Sequence, residues 1–170
     1  MRLKPASRLA PLYDALRGHF AHEPRWWPIH TEDRSYEVVV GMILVQQTQW
    51  GIVEAAVLRI LAAGYDSFAR LAHADLAELI LLAKPCAFYT RKAAALIRIA
   101  QHITALPAGF PTLIDGDRHD RRQALLALPQ VGRESADTML LYAGDHPLFI
   151  VDAYARRVLH RTGIYADQVD

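Results

Sequence analysis

Asp152 is an isolated carboxylate in Ile150-Val151-Asp152-Ala153-Tyr154, placed after an apolar run and at the start of a helical one. A negative charge in that place is favoured by the helix dipole. It can stabilise a developing positive charge and position or deprotonate water. A plain N-cap aspartate would have the same residue type and place, and the two roles are compatible. Upstream, one amphipathic segment ends in Leu128-Pro129-Gln130-Val131-Gly132-Arg133 and a second begins with Glu134. The Pro-x-Val-Gly turn gathers backbone N–H groups at the start of the second helix, where unpaired amides and the dipole favour an anion such as a nucleic-acid phosphate. The plainer alternative is an αα-corner whose glycine serves only the tight turn.

Two further segments and the tryptophans carry chemistry. The loop in Ile43-Leu44-Val45-Gln46-Gln47-Thr48-Gln49 follows an apolar helical run, and Phe88-Tyr89 with Lys92-Ala93 opens another. Trp26, Trp27 and Trp50 are all the tryptophans of the chain; two sit in Arg25-Trp26-Trp27-Pro28, and the third begins a helix just after the glutamines. Aromatic faces hold a flat cationic base by stacking, at about 1–2 kcal/mol per contact. Their alternative role is core or hinge packing. The eight histidines are scattered, without metal-ligand spacing.

In order and spacing, these segments resemble the helix-hairpin-helix DNA glycosylases, the superfamily that includes endonuclease III. The hairpin followed by Val151-Asp152, the glutamine loop, and the Phe88-Tyr89-x-x-Lys92-Ala93 segment carry the resemblance, which covers most of the chain. It implies that Asp152 supports the oxocarbenium-like sugar formed when a flipped base leaves. It also implies that Pro129, Val131, Gly132 and Arg133 bind DNA, that Gln46 fills the hole left in the duplex, and that Phe88 wedges the opposite strand. Lys92 is expected to contact phosphate or solvent. Family hairpins bind a monovalent cation through backbone carbonyls, which here would be those of Leu128 and Val131; no other metal is expected.

Position 134 separates the subclasses. Bifunctional relatives carry a lysine there, whose amine forms the Schiff base needed for strand cleavage. Glu134 cannot form that imine, so the resemblance implies a monofunctional enzyme that uses water, with Glu134 at the base pocket beside Trp26, Trp27 and Trp50. Gln46-Gln47-Thr48-Gln49 also resembles the loop of the mismatch adenine glycosylases, which carry a glutamate four residues before the first glutamine to protonate adenine. Met42 stands there. A missing acid points to a substrate that already carries positive charge, such as 3-methyladenine or 7-methylguanine. The Trp26-Trp27 segment, Gln47 to Trp50, and Gly132-Arg133-Glu134-Ser135-Ala136-Asp137 together most resemble the 3-methyladenine DNA glycosylases of the endonuclease III type. The expected partner is duplex DNA containing a damaged base. A glycosylase for oxidised or mismatched bases is disfavoured by Glu134 and Met42, and a non-catalytic DNA-binding protein is the remaining alternative.

A formal charge of +1 does not announce a nucleic-acid protein, but Arg118, Arg121, Arg122, Arg133, Arg156, Arg157 and Arg161 all fall in the hairpin half, diluted by Asp120, Glu134 and Asp137. Cys86 is the only cysteine, so the chain can hold neither a disulfide nor the four-cysteine iron–sulfur cluster of many relatives, and no cofactor is expected. Cys86 itself reads as a buried small hydrophobe. Signal-peptide and membrane-spanning patterns are missing, so the chain reads as a soluble cytoplasmic protein, nucleoid-associated in a prokaryote. Its oligomeric state is left open.

Helices must position these groups. Leu9, Leu12, Tyr13, Leu16 and Phe20 recur at helical spacing. Asp33 or Ser35 caps a helix over 36–45 that is apolar almost all round and therefore central. Further helices are expected over 50–63, closed by Gly64, over 75–83, stopped by Lys84-Pro85, and over 89–105. Pro107, Gly109 and Pro111 mark a linker before hairpin helices over 117–128 and 133–143, and a last helix starts near Ala153. The run Leu148-Phe149-Ile150-Val151 is expected to be a buried connection. The fold expected is all-α, with two helical lobes flanking a cleft: 1–34 as the helix and tryptophan loop of the second lobe, 35–152 as the domain holding the hairpin 117–143, and 153–170 as the start of a C-terminal lobe that relatives continue further. Methyladenine-specific relatives take a pocket lysine from that continuation. Without it, the apolar face around Leu9 to Leu16 is expected to lie uncovered, and a dimer could cover it.

Overall fold

A computed structural model of the chain describes residues 9–20 and 27–164. Every regular element among them is an α-helix: α1 (Leu9–His19), α2 (Arg34–Val45), α3 (Trp50–Ala62), α4 (Phe68–Leu71), α5 (Leu76–Ala83), α6 (Tyr89–Thr104), α7 (Pro111–Ile114), α8 (Arg118–Leu126), α9 (Arg133–Tyr142) and α10 (Ala153–Arg161). The chain divides into a central unit, Ile29–Leu148, and a flanking unit that takes the segments on either side of it. Asp152 belongs to the flanking unit.

In the central unit α2 is the axis, as its all-round apolar pattern requires. Asp33 caps it through a carboxylate that accepts the Tyr36 amide at 3.0 Å. Tyr36 to Leu44 are all buried, Glu37 included. A buried carboxylate needs its hydrogen bonds satisfied, and Glu37 accepts from the His30 amide at 2.9 Å and from the Thr31 hydroxyl at 2.6 Å, which pins the chain entering the helix. The Tyr36 hydroxyl donates to the Tyr65 carbonyl, and burial pushes its phenol well above the ordinary tyrosine range. Around α2 pack α3, α6 and α9; α4 and α5 lie on α6, and α8 lies on α7 and α9.

Two short elements escape the periodicity. The single turn α4 is capped by Ser67, and α7 occupies the segment expected to be a linker, with Pro111 in its first turn and the Asp115 amide closing on the Pro111 carbonyl at 2.8 Å. One turn is too short to show a 3.6-residue repeat, and proline is well suited to a helix start. Cys86 is buried at 1% exposure, and burial raises its thiol pKa.

In the flanking unit neither α1 nor α10 buries a residue. Leu9, Tyr13, Leu16 and Phe20 are exposed and Leu12 is half-buried. The connection 148–151 departs from expectation. It has no regular secondary structure, and Leu148 and Ile150 are half-buried while Phe149 and Val151 are exposed. Among the described residues no helix is long and apolar enough to cross a membrane.

Candidate nucleic-acid interface and catalytic carboxylate

The hairpin is built by α8 and α9. Asp117 caps α8, its carboxylate accepting the His119 amide at 2.9 Å and the Asp120 amide at 3.2 Å. Those amides hold the Asp117 carboxyl below its ordinary pKa. The helices are clamped by a two-pronged ion pair, Arg122 Nε to Asp137 Oδ1 at 2.5 Å and Arg122 Nη2 to Asp137 Oδ2 at 3.1 Å. Between the helices, Leu128 and Val131 are buried and the Val131 amide closes the turn on the Leu128 carbonyl at 3.3 Å.

The glycine of the hairpin does not make the turn. Gln130 takes the left-handed conformation, at φ 63°, whereas Gly132 is extended at φ −94°, ψ −176°, a conformation open to any residue. A β-carbon built on Gly132 meets no atom within 4 Å. As the N-cap of α9 a glycine is favoured over alanine, and without a side chain it also leaves the backbone at the start of α9 open to a close approach from outside. That arrangement is open to an anion at the helix start. Arg133 and Glu134, in the first turn, are exposed.

Two more loops share this backbone signature. Gln47, between α2 and α3, has φ 55°, and Phe88, between α5 and α6, has φ 54°. Both are exposed, and the Arg91 guanidinium lies 5.2 Å from the centre of the Phe88 ring. Non-glycine residues held left-handed cost of order 1 kcal/mol or more and concentrate where a loop is shaped for use. Among the described residues the remaining case is Asp145.

Not every expected contact residue faces outward. Lys92, expected to touch phosphate or solvent, is 2% exposed and turned inward. Its Nζ donates to the carbonyls of Leu44 at 2.8 Å and Gln46 at 2.6 Å, and lies 3.2 Å from the Thr48 hydroxyl. An ammonium has three protons, and these partners use all three. Burial lowers its pKa. Gln46, expected in the DNA hole, is half-buried, and its Nε2 donates to the Gln130 carbonyl at 2.8 Å and to Ser135 Oγ at 3.3 Å. Gln47 and Gln49 are presented to solvent. Arg121 and Arg122 are likewise spent inside the protein, on the Thr112 carbonyl and Asp137. Arg118, Arg133, Arg156, Arg157 and Arg161 remain exposed.

Asp152 is the N-cap of α10, extended at φ −90°, ψ 180°, with Oδ1 accepting the Ala155 amide at 2.6 Å. The bond fixes the carboxylate's direction while the residue stays partly solvent-accessible. Trp27 is half-buried in the flanking unit and Trp50 half-buried at the start of α3; Trp26 lies outside the described residues. Met42 is buried on α2, at 4% exposure. Among the described residues no group of three or more His, Cys, Asp or Glu side chains is arranged to hold a metal ion.

The sequence model of the HhH-GPD superfamily of base excision DNA repair proteins matches residues 40–170. A protein of Methanocaldococcus jannaschii named as a DNA repair glycosylase is 34% identical over 155 residues, which cover 90% of this chain and 69% of that one. Endonuclease III homolog 2, chloroplastic, of Arabidopsis thaliana is 32% identical over 133 residues, 78% of this chain and 33% of its own length. Among solved structures, the H. pylori 3-methyladenine DNA glycosylase bound to 1,N6-ethenoadenine aligns with a TM-score of 0.74 at 24% identity, over 95% of this chain and 74% of that one. A non-covalent endonuclease III–DNA complex aligns with a TM-score of 0.76 at 21% identity, over 94% of this chain and 70% of that one. The two structures share the all-helical fold with this chain.

Proposed function

Because the chain belongs to the HhH-GPD superfamily of base excision DNA repair proteins, we propose that it is a monofunctional DNA glycosylase that hydrolyses the N-glycosidic bond of alkylated purines, of the 3-methyladenine type, in duplex DNA. The observation that carries this reading is a contrast between two carboxylates. Asp152 is directed by a helix-capping bond yet partly accessible, while Glu134 stands on the first turn of α9 where strand cleavage would need an amine.

In the proposed reaction the C1′–N bond breaks with its electron pair leaving on the base, and the sugar becomes oxocarbenium-like. Asp152 stabilises that charge and orients a water, which adds to C1′ and gives up a proton; the products are a free base and an abasic site. An N-alkylated purine carries positive charge and leaves neutral without being protonated. That suits Met42, an apolar buried residue in the place of an acid. Trp27 and Trp50, with Trp26 and Glu134, are the proposed base-holding residues.

On the DNA side, the proposed phosphate site is the start of α9 at Gly132 and Arg133, with Pro129 and Val131 shaping the turn. Phe88 and Gln47 are the proposed residues that enter the duplex, and Gln46 supports them from behind. A monovalent cation on the carbonyls of Leu128 and Val131, which the resemblance implies, would sit on a turn whose Leu128 carbonyl accepts the Val131 amide at 3.3 Å. It would add positive charge near the phosphate.

Asp152→Asn tests the proposal. It keeps a capping oxygen and should lower excision of methylated purines by about 10²–10⁴-fold while leaving DNA affinity within a few-fold. Excision that survives the change would remove Asp152 from the mechanism.

A further inference from the structure

Gln47, Phe88 and Gln130 are left-handed residues in three loops far apart in sequence, and a continuous chain of buried or half-buried hydrogen bonds connects those loops. It starts at Lys92, on the first turn of α6 directly behind Phe88, whose carbonyl accepts the Lys92 amide at 3.1 Å. The ammonium reaches into the glutamine loop through Leu44, Gln46 and Thr48. Thr48 Oγ1 returns to the Phe88 turn by accepting the Ala87 amide at 3.0 Å. The Gln46 side chain then crosses to the hairpin at Gln130 and Ser135.

We infer that Lys92 is a positioning residue that fastens the glutamine loop, the Phe88 turn and the hairpin into one platform, so that base extrusion depends on a cation that never touches DNA. The inference rests on the glycosylase reading for its DNA consequences only.

Burying an ammonium is costly unless its protons are satisfied and its surroundings are fixed. Here the satisfying groups are the Leu44 carbonyl near the end of α2, the Gln46 carbonyl and the Thr48 hydroxyl, so a single ammonium ties the helix end to the loop that follows it. The charge therefore stiffens the loop, and charge-assisted bonds are the strong ones. A methionine of similar length would fill the space and bind none of the three oxygens. Gln46 would then lose the anchor on its own carbonyl, and its bridge to Gln130 would loosen with it. Positioning losses of this kind act on the rate at which a geometry is reached, and small displacements are enough to matter.

The experiment uses the full chain and compares wild type with Lys92→Met, Thr48→Val and Thr48→Ser. Amide hydrogen exchange is read at Ala87, Thr48 and Val131, and extrusion is read from 2-aminopurine placed beside an alkylated base in a duplex, next to binding of undamaged duplex. Lys92→Met should speed exchange in all three loops, Val131 included, and lower the extrusion signal about tenfold with undamaged-duplex affinity and its salt dependence unchanged. Thr48→Val, which keeps the ammonium but removes one of its three acceptors, should loosen Ala87 and weaken extrusion less, and Thr48→Ser should keep wild-type values.

Faster exchange confined to Thr48 and Ala87, with Val131 as protected as in wild type, would overturn the inference, as would undiminished extrusion by Lys92→Met. Should Lys92→Met fail to fold, Thr48→Val decides: wild-type exchange at Ala87 and wild-type extrusion in that variant would also overturn it. If the wild-type protein extrudes no base, the glycosylase reading fails, and the exchange pattern alone judges the platform.

Discussion

The side-chain amide of Gln46 donates to the main-chain carbonyl of Gln130 at 2.8 Å, joining loops 84 positions apart. That bond divides the labour between neighbouring glutamines, since Gln46 braces the hairpin and Gln47, at φ 55°, is presented to solvent. Gln46→Leu should therefore cost about 1 kcal/mol of stability. Gln47→Ala should leave the melting temperature unchanged and weaken base extrusion. Thermal denaturation beside 2-aminopurine fluorescence checks both, and a Gln47 change that destabilises while a Gln46 change does not would reverse the assignment.

Gly132 separates stability from binding. Its φ of −94° suits any residue, and a β-carbon there meets nothing within 4 Å. Gly132→Ala should keep stability within about 1 kcal/mol, the small gain in chain stiffness offsetting a poorer helix cap. Affinity for duplex DNA should fall, because the methyl group occupies the approach to the α9 amides. Titration of a labelled duplex reads this directly, and full affinity in the variant would move the phosphate elsewhere.

The arginines of the hairpin half are not equivalent. Arg122 is committed to Asp137 at 2.5 Å, and Arg133 is exposed on the first turn of α9. Arg122→Ala should cost about 1–3 kcal/mol of stability and leave the salt dependence of DNA binding as it was. Arg133→Ala should leave stability unchanged and reduce the slope of log K against log salt by about one. Equal slopes for Arg133→Ala and wild type would take Arg133 off the phosphate.

Most of the helical frame is legible in the sequence for physical reasons that leave a mark there. Asp33, Asp75, Asp117 and Asp152 each cap a helix through a side-chain oxygen, and capping aspartates before periodic apolar runs are readable. The all-round apolar run of α2 announces its burial. Single turns such as α4 and α7 carry no period, and an apolar run such as 148–151 does not say which of its side chains face solvent. At the candidate site, the Asp152 cap and the hairpin turn are legible because residue types and spacing mark them. Lys92 is not: a lysine ordinarily marks the surface, and its partners include main-chain carbonyls, which every residue supplies alike. The same applies to Gln46, whose principal acceptor is the Gln130 carbonyl.

Acid should act on the cap of the first hairpin helix. Amides of His119 and Asp120 hold the Asp117 carboxyl below its ordinary value, so the folded protein binds that proton less readily than the unfolded chain. Its stabilising contribution is complete above the unfolded pKa of about 4 and is lost as pH falls through the lower folded value. The difference in melting temperature between wild type and Asp117→Ala should be constant near neutrality and shrink in acid. A difference that stays constant throughout the acid range would show that the capping charge is not what matters.

The most direct measurement is base release from methylated duplex DNA, with free 3-methyladenine and 7-methylguanine separated by chromatography and the DNA examined with and without alkali. A released methylpurine and strands that break only after alkali are expected, the signature of hydrolysis without lyase chemistry. Strand breaks without alkali would contradict the reading of Glu134, and intact methylated DNA that the protein nevertheless binds would contradict the assignment of a glycosylase.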